Sequence, residues 1–211
     1  ELLKKSKGGK GKLISGTSLS DPANVLIIGA GIVGINAMQM SLGLGANTTI
    51  LDINNELLTS IKQEYPAVNI GTSSKELIEG LLPIADIVIG AVLTPGAKPP
   101  TVITRDMLAL MQPKSILSDV AIDQGGCFET SKVTSHSEPT YEVDEIIHYC
   151  VRNIPSAVPF TATNALNQST RPFIAKFANE GVDGLKSNNN LLMALNTHNG
   201  HLVNQEVADA H

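Results

Sequence analysis

Three glycines and an aspartate have the spacing that carries chemistry in this chain. Gly29, Gly31 and Gly34 read G-x-G-x-x-G at the end of the apolar run 25–29, and Asp52 follows about 20 residues later at the end of a second apolar run. Gly29 would allow a tight turn, Gly31 would let backbone approach a pyrophosphate, and Gly34 would let a helix pack closely on a strand. A helix starting at Ile32 would aim free N–H groups and the positive end of its dipole at the phosphates. A carboxylate at Asp52 can accept hydrogen bonds from a ribose 2′-hydroxyl and would repel a 2′-phosphate, so NAD is expected rather than NADP. The motif alone is weak; its weight comes from the elements on either side.

Those elements must be a strand, a helix and a second strand. The β-branched run up to Gly29 reads as a buried parallel strand. Residues 32–44 read as a helix closed by Gly45, and 48–51 as the next strand. Beyond this unit, Asn54 should cap a helix over 55–64, ended by Pro66. A third strand is expected over 68–70, with Ser73 and Ser74 beyond its C-terminal end, where open parallel sheets bind ligands. Ser74 caps a further amphipathic helix in this reading, and 86–91 forms a fourth strand. Pro-rich residues 92–100 follow, then a short helix capped by Thr104. A fifth strand should open at 115–117 and continue toward Val120, Ala121 and Ile122, with Asp123 just beyond. Residues 146–151 would be the sixth. This alternation predicts an α/β fold: a doubly wound, mainly parallel Rossmann sheet with helices on both faces. The last third reads as C-terminal helices, one over 162–179 interrupted near Pro172.

Composition agrees with this class. Of 211 residues, 42% are hydrophobic but only 3% aromatic, so the core must be aliphatic, as parallel strands favour. A net charge of −5 disfavours nucleic acid or an anionic membrane as partner. No apolar run approaches the ~20 residues of a membrane helix. Cys127 and Cys150 are too few to suggest a metal site, and free thiols in a cytoplasmic protein are expected. Residues 1–5 read as the last turn of a helix already under way, and Gly8, Gly9 and Gly11 as its break. The chain is therefore expected to begin inside a larger protein, with 1–20 as the end of an interdomain helix and linker, 21–160 as the NAD-binding domain and 161–211 as helices packing back toward a substrate domain.

Several stretches go further than periodicity. They are Val-Ile-Gly-Ala-Val-Leu-Thr-Pro-Gly-Ala-Lys at 88–98, Asp-Val-Ala-Ile-Asp-Gln-Gly-Gly-Cys-Phe-Glu at 119–129, Thr-Tyr-Glu-Val-Asp at 140–144 and His-Tyr-Cys-Val at 148–151. Together they resemble the alanine dehydrogenase family over essentially the whole chain. Related transhydrogenases share the core and the start of the 119 strand without the Asp-Gln-Gly-Gly-Cys-Phe-Glu continuation. The resemblance implies NAD-dependent, reversible oxidative deamination of L-alanine to pyruvate and ammonia, with hydride moving between the substrate Cα and nicotinamide C4. It also implies a homo-oligomer, commonly a hexamer, acting in alanine catabolism.

The family's general acid/base chemistry falls on a His of its other domain and on the residue matching Asp123. Its cofactor contacts map onto Gly31 and Ile32 (pyrophosphate), Asp52 (ribose), Ser73 (adenine side), and Val92, Leu93, Val120, Ala121, Ile122 and Asp123 (backbone and nicotinamide). Val151, Arg152, Asn153 and Ile154 match the segment closing over the nicotinamide. Leu57 stands where some members have a Lys, and Lys132 where an Arg is usual. His136, His148, His198 and His201 do not match the family's His, and the pair His198/His201 is a weak metal motif. Two other readings stay open: an NAD(H)-binding module without turnover, and the nucleotide domain of a transhydrogenase.

Overall fold

Seven strands form one sheet in the computed structural model, which describes residues 1–94, 97–186 and 188–210. In chain order they are β1 (Asn24–Ile28), β2 (Asn47–Asp52), β3 (Asn69–Thr72), β4 (Ile87–Gly90), β5 (Ile116–Asp119), β6 (Thr140–Val143) and β7 (Ile146–Tyr149). Their spatial order is β3-β2-β1-β4-β5-β7-β6; every neighbouring pair is parallel except β6 with β7. Helices α1 (Ile32–Gly43), α2 (Asn55–Glu64) and α3 (Lys75–Leu81) connect the first four strands. The order reverses between β1 and β4, the switch point at which such sheets leave a ligand crevice.

Alternation along the strands buries both faces. In β1, Val25 and Ile27 join Met38 of α1 and Leu58 and Ile61 of α2 on one side. Leu26 and Ile28 join Ile78, Leu108, Leu117 and Phe128 on the other. Each fully buried aliphatic side chain contributes about 1.5–3 kcal/mol, which explains how a core without tryptophan holds. Two of the predicted caps are present: the Asn54 and Ser74 side chains accept hydrogen bonds from the Leu57 and Leu77 N–H groups, whereas the expected Thr104 helix is a 3₁₀ turn, Asp106–Leu110, that starts after Arg105 with no side-chain cap. Gly45 takes the left-handed φ of 79° just past α1.

Other details differ from the sequence reading. β5 stops at Asp119 and does not continue to Ile122, because the Asp119 carboxylate accepts the Ala121 N–H and bends Val120–Gln124 into a 3₁₀ turn. A seventh strand, β6, pairs antiparallel with β7; its alternation is too short to stand out from the preceding loop. Residues 1–4 are not helical, and Lys5–Lys7 makes a single 3₁₀ turn ended by Gly8 in the left-handed region. Lys10 and Lys12 reach the carboxylate of Asp86, at 3.0 and 2.6 Å.

Contacts divide the chain into two compact units, residues 1–94 with 98–152, and 153–210 with Ala97. The second is built on α4 (Pro159–Lys186), α5 (Asn189–Met193), the small hairpin β8 (Thr197–His198) and β9 (His201–Leu202), and α6 (Gln205–Ala210). Helix α4 leaves helical geometry at Gly181 (φ 62°, ψ −155°) and not at Pro172. Only glycine adopts that backbone at little cost.

Candidate active site

The site lies along the C-terminal ends of the parallel strands in the first unit. The register places Ile28 beside Gly90, and Gly90 beside Asp119, so the loops after β1, β4 and β5 leave one edge side by side. The glycine turn follows β1. Gly29 has φ 103°, and a Cβ there would lie 2.5 Å from the Ala91 carbonyl oxygen, so glycine is required for the close pass between β1 and β4. A Cβ on Gly34 would lie 1.8 Å from the Gly29 oxygen, which explains how α1 seats directly on the turn. A Cβ on Gly31 would meet nothing within 4 Å.

Gly31 therefore opens onto free space at the start of α1. No side chain caps this helix, its first turn carries no acid, and Ile32 is 84% exposed. An unblocked positive helix end beside an open glycine suits a pyrophosphate. Asp52, at the end of β2, accepts the Ala30 N–H at 2.6 Å through Oδ2 and the Asn54 N–H at 2.9 Å through Oδ1. The carboxylate thus ties the glycine turn to β2, and each oxygen keeps a lone pair for a ribose hydroxyl. Ser73 follows β3 with its N–H bonded to the Asp52 carbonyl at 2.8 Å, so the serine stands beside the acid. These residues fit a dinucleotide.

The loop after β4 begins with Val92, half-buried, whose N–H hydrogen-bonds the Cys127 sulfur, and Leu93, which is exposed. Predicted residues 95 and 96 of this loop lie outside the described residues. Across from it, Val120, Ala121 and Ile122 form the 3₁₀ turn, with Ala121 and Ile122 buried and Asp123 at the surface. Arg152 Nε lies 3.7 Å from Asp123 Oδ1; both side chains are more than half exposed, so the pair orients the carboxylate more than it stabilises the fold. Val151 is buried in a bridge to Thr134 and carries Arg152 to this place. Asn153 and Ile154 belong to the second unit, where Asn153, at φ 49°, opens the 3₁₀ turn Ile154–Ala157.

Three further titratable residues, His148, Cys127 and Cys150, are held in the interior. His148 is fully buried, stacks on Tyr141 with ring centroids 4.9 Å apart, and is bonded to Thr130 Oγ1 and the Ile146 carbonyl. Burial lowers its pKa, so the ring is neutral near pH 7. Cys127 and Cys150 are free and buried. Burial, then the neighbouring Asp119 carboxylate, push the Cys127 thiol well above the ordinary range, which removes it as a nucleophile. His198 and His201 face each other across the β8–β9 hairpin, both exposed. Among the described residues no group of three His, Cys, Asp or Glu side chains is placed to hold a metal. Asp119 is the residue that the sequence reading passed over. Its only signal was its place at the head of the Asp-Val-Ala-Ile-Asp stretch.

Comparison with known proteins agrees with this geometry. Residues 1–205 match the family model "Alanine dehydrogenase/PNT, C-terminal domain". The chain is 47% identical over 210 residues to the alanine dehydrogenase of Halomonas elongata, covering 99% of this chain and 57% of that protein. It is 44% identical over 208 residues to that of Mycolicibacterium smegmatis, covering 98% and 56%. It thus spans little more than half the length of the curated relatives it matches. A solved L-alanine dehydrogenase superposes with a TM-score of 0.89 at 41% identity, covering 100% of this chain and 60% of that one. A transhydrogenase from Sinorhizobium meliloti superposes at 0.71 and 22% identity over 92% of this chain and 53% of its own, a likeness of fold alone. The open glycine turn, the acid that ends β2 and a family match over residues 1–205 lead to one assignment: this chain belongs to the alanine dehydrogenase/PNT C-terminal domain family.

Proposed function

We propose that this chain is the NAD-binding part of an alanine dehydrogenase and supplies Asp123 to its active site. One observation carries the reading: the open, uncapped start of α1 and the turn bearing Asp123 stand at the ends of strands on one edge of the sheet, on either side of the switch point. The alanine dehydrogenases matched above supply the reaction class.

In this reading Gly31 and the first N–H groups of α1 hold the pyrophosphate, and Asp52 and Ser73 hold the adenosine end. Val92, Leu93 and Val120–Gln124 border the nicotinamide, which when bound supplies a two-electron hydride acceptor. Asp123 moves a proton at the substrate nitrogen or at the water that adds to the imine carbon, oriented by Arg152. The substrates are L-alanine in one direction and pyruvate with ammonium in the other. Family likeness assigns the catalytic His to another domain, so in this reading the 211-residue chain by itself binds NAD(H) without turnover. The complete protein would be a cytoplasmic homo-oligomer, a hexamer by family likeness, whose remaining part faces the second unit. Exposed Phe160, Leu166, Ile174 and Phe177 on α4 suit that packing.

The test is to mix the complete protein with NADH, pyruvate and ammonium and follow absorbance at the nicotinamide band. Ammonium-dependent oxidation of NADH is expected. No oxidation, with the protein folded and NADH bound, rejects the assignment. Alanine oxidation by the 211-residue chain alone would reject the view that it lacks turnover.

A further inference from the structure

Asp119 has no part in the chemistry above, yet it is buried among converging hydrogen-bond donors. It is 0% exposed at the end of β5. Oδ1 accepts the Ala121 N–H at 3.0 Å and lies 3.5 Å from the Cys127 thiol; Oδ2 accepts the Cys127 N–H at 2.9 Å, the Phe128 N–H at 3.4 Å and the Ser131 hydroxyl. None of these partners is a cation. Burying a carboxylate without one costs several kcal/mol, which a set of converging donors must offset.

The surrounding sequence is shaped to admit that carboxylate. Gly125 and Gly126, at φ 104° and 77°, reverse the chain so that the Cys127 and Phe128 N–H groups point back at it. A Cβ on Gly126 would lie 2.8 Å from Asp119 Oδ2. The returning segment is seated on β4, because Gly90 leaves room for it: a Cβ there would lie 2.4 Å from Cys127 Sγ and 2.6 Å from Phe128 Cζ. Asp119 therefore holds both ends of the loop from Val120 to Phe128, including the turn that presents Asp123. A carboxylate offers only acceptors at both oxygens, whereas an amide would turn an N–H₂ group toward N–H donors.

We infer that Asp119 is a positioning residue for the nicotinamide half of the cofactor site, acting as a fully acceptor anchor that sets the Val120–Gln124 backbone and the direction of Asp123. The inference rests on the dinucleotide reading and deepens it. The adenosine half is held by separate elements, the glycine turn and Asp52, so the two halves should respond differently to loss of this anchor.

The experiment compares NADH with ADP-ribose, which lacks the nicotinamide, on the 211-residue chain by calorimetry, with nicotinamide fluorescence as a second readout for NADH. Asp119→Asn should weaken NADH at least tenfold, abolish the fluorescence change and leave ADP-ribose within twofold of the unaltered chain. Ser131→Ala, which removes one donor and keeps the carboxylate, should shift NADH alone by a few-fold. It decides the matter if Asp119→Asn does not fold. Equal losses for both ligands, or no loss for either, overturn the inference. If the unaltered chain binds neither ligand, the dinucleotide reading itself fails; if it binds both with equal affinity and no fluorescence change, the nicotinamide is not engaged and the positioning role alone fails.

Discussion

Replacing Gly31 and Gly34 separately by alanine should split one motif into two different physical outcomes. A Cβ on Gly34 would sit 1.8 Å from the Gly29 oxygen and 2.9 Å from its carbonyl carbon. A comfortable C···O approach is about 3.3 Å, so α1 must retreat by about 1.5 Å from a turn pressed against β4. Overpacking of this kind costs about 3 kcal/mol, or roughly 6–12 °C in melting temperature for a chain of this size. A Cβ on Gly31 meets nothing within 4 Å, and the backbone there, φ −68° and ψ −173°, is open to any residue. Restricting the unfolded chain gains about 0.4–1 kcal/mol, and alanine is a poorer helix N-cap by a similar amount, so stability should stay within about 1 kcal/mol. The methyl would instead occupy the space into which a pyrophosphate must come. NADH affinity is expected to fall at least tenfold, about 1.4 kcal/mol. Thermal unfolding by circular dichroism and NADH titration on the same samples read both effects. Gly31→Ala binding NADH like the unaltered chain would refute the placement of the pyrophosphate, and an unchanged melting temperature for Gly34→Ala would refute the packing argument.

Three further outcomes follow from the geometry. Asp123→Asn in the complete protein should lower turnover by about 10²–10⁴ while NADH affinity stays within about twofold, as expected for a proton-transfer group at the rim; unchanged turnover removes it from the chemistry. Asp52→Asn forfeits one of the two acceptors that bond Ala30 and Asn54, so NADH should weaken by about tenfold and the preference over NADPH should narrow in parallel titrations; an unaltered preference would mean that the acid does not meet the ribose. Asp86 is held below the usual carboxylate range: burial acts to raise it, but Lys12, the Asn24 N–H and Lys10 together outweigh that effect. Its stabilising contribution is therefore complete above its unfolded pKa of about 3.9 and is lost as pH falls through the lower folded value. Asp86→Asn should cost about 3 kcal/mol in urea unfolding at pH 7 and much less near pH 2, and an equal cost at both would contradict the ion-pair account.

What the chain wrote locally could be read locally. Runs of β-branched residues with two-residue alternation, Asn54 and Ser74 ahead of apolar helical faces, and glycines at 29, 31 and 34 each act within one turn or strand. The doubly wound class and the glycine turn ahead of α1 were visible for that reason. Asp123 could be named only by likeness to a family, since a lone aspartate in a glycine-bearing loop has no local signature. Tertiary structure decided the rest. β5 bends at Asp119 through a local contact with the Ala121 N–H, but the carboxylate is buried there only because donors 8 to 12 positions away, from Cys127, Phe128 and Ser131, converge on it, and no window around β5 contains them. The pairing of Lys10 and Lys12 with Asp86 spans 76 and 74 positions, and it secures a stretch that by composition reads as a loose linker. β6 exists as a strand only because β7 offers it an edge. The motif's own spacing sets Gly34 against the Gly29 oxygen and leaves Gly31 open, whereas the crowding at Gly29 comes from Ala91, brought alongside by the pairing of β1 with β4.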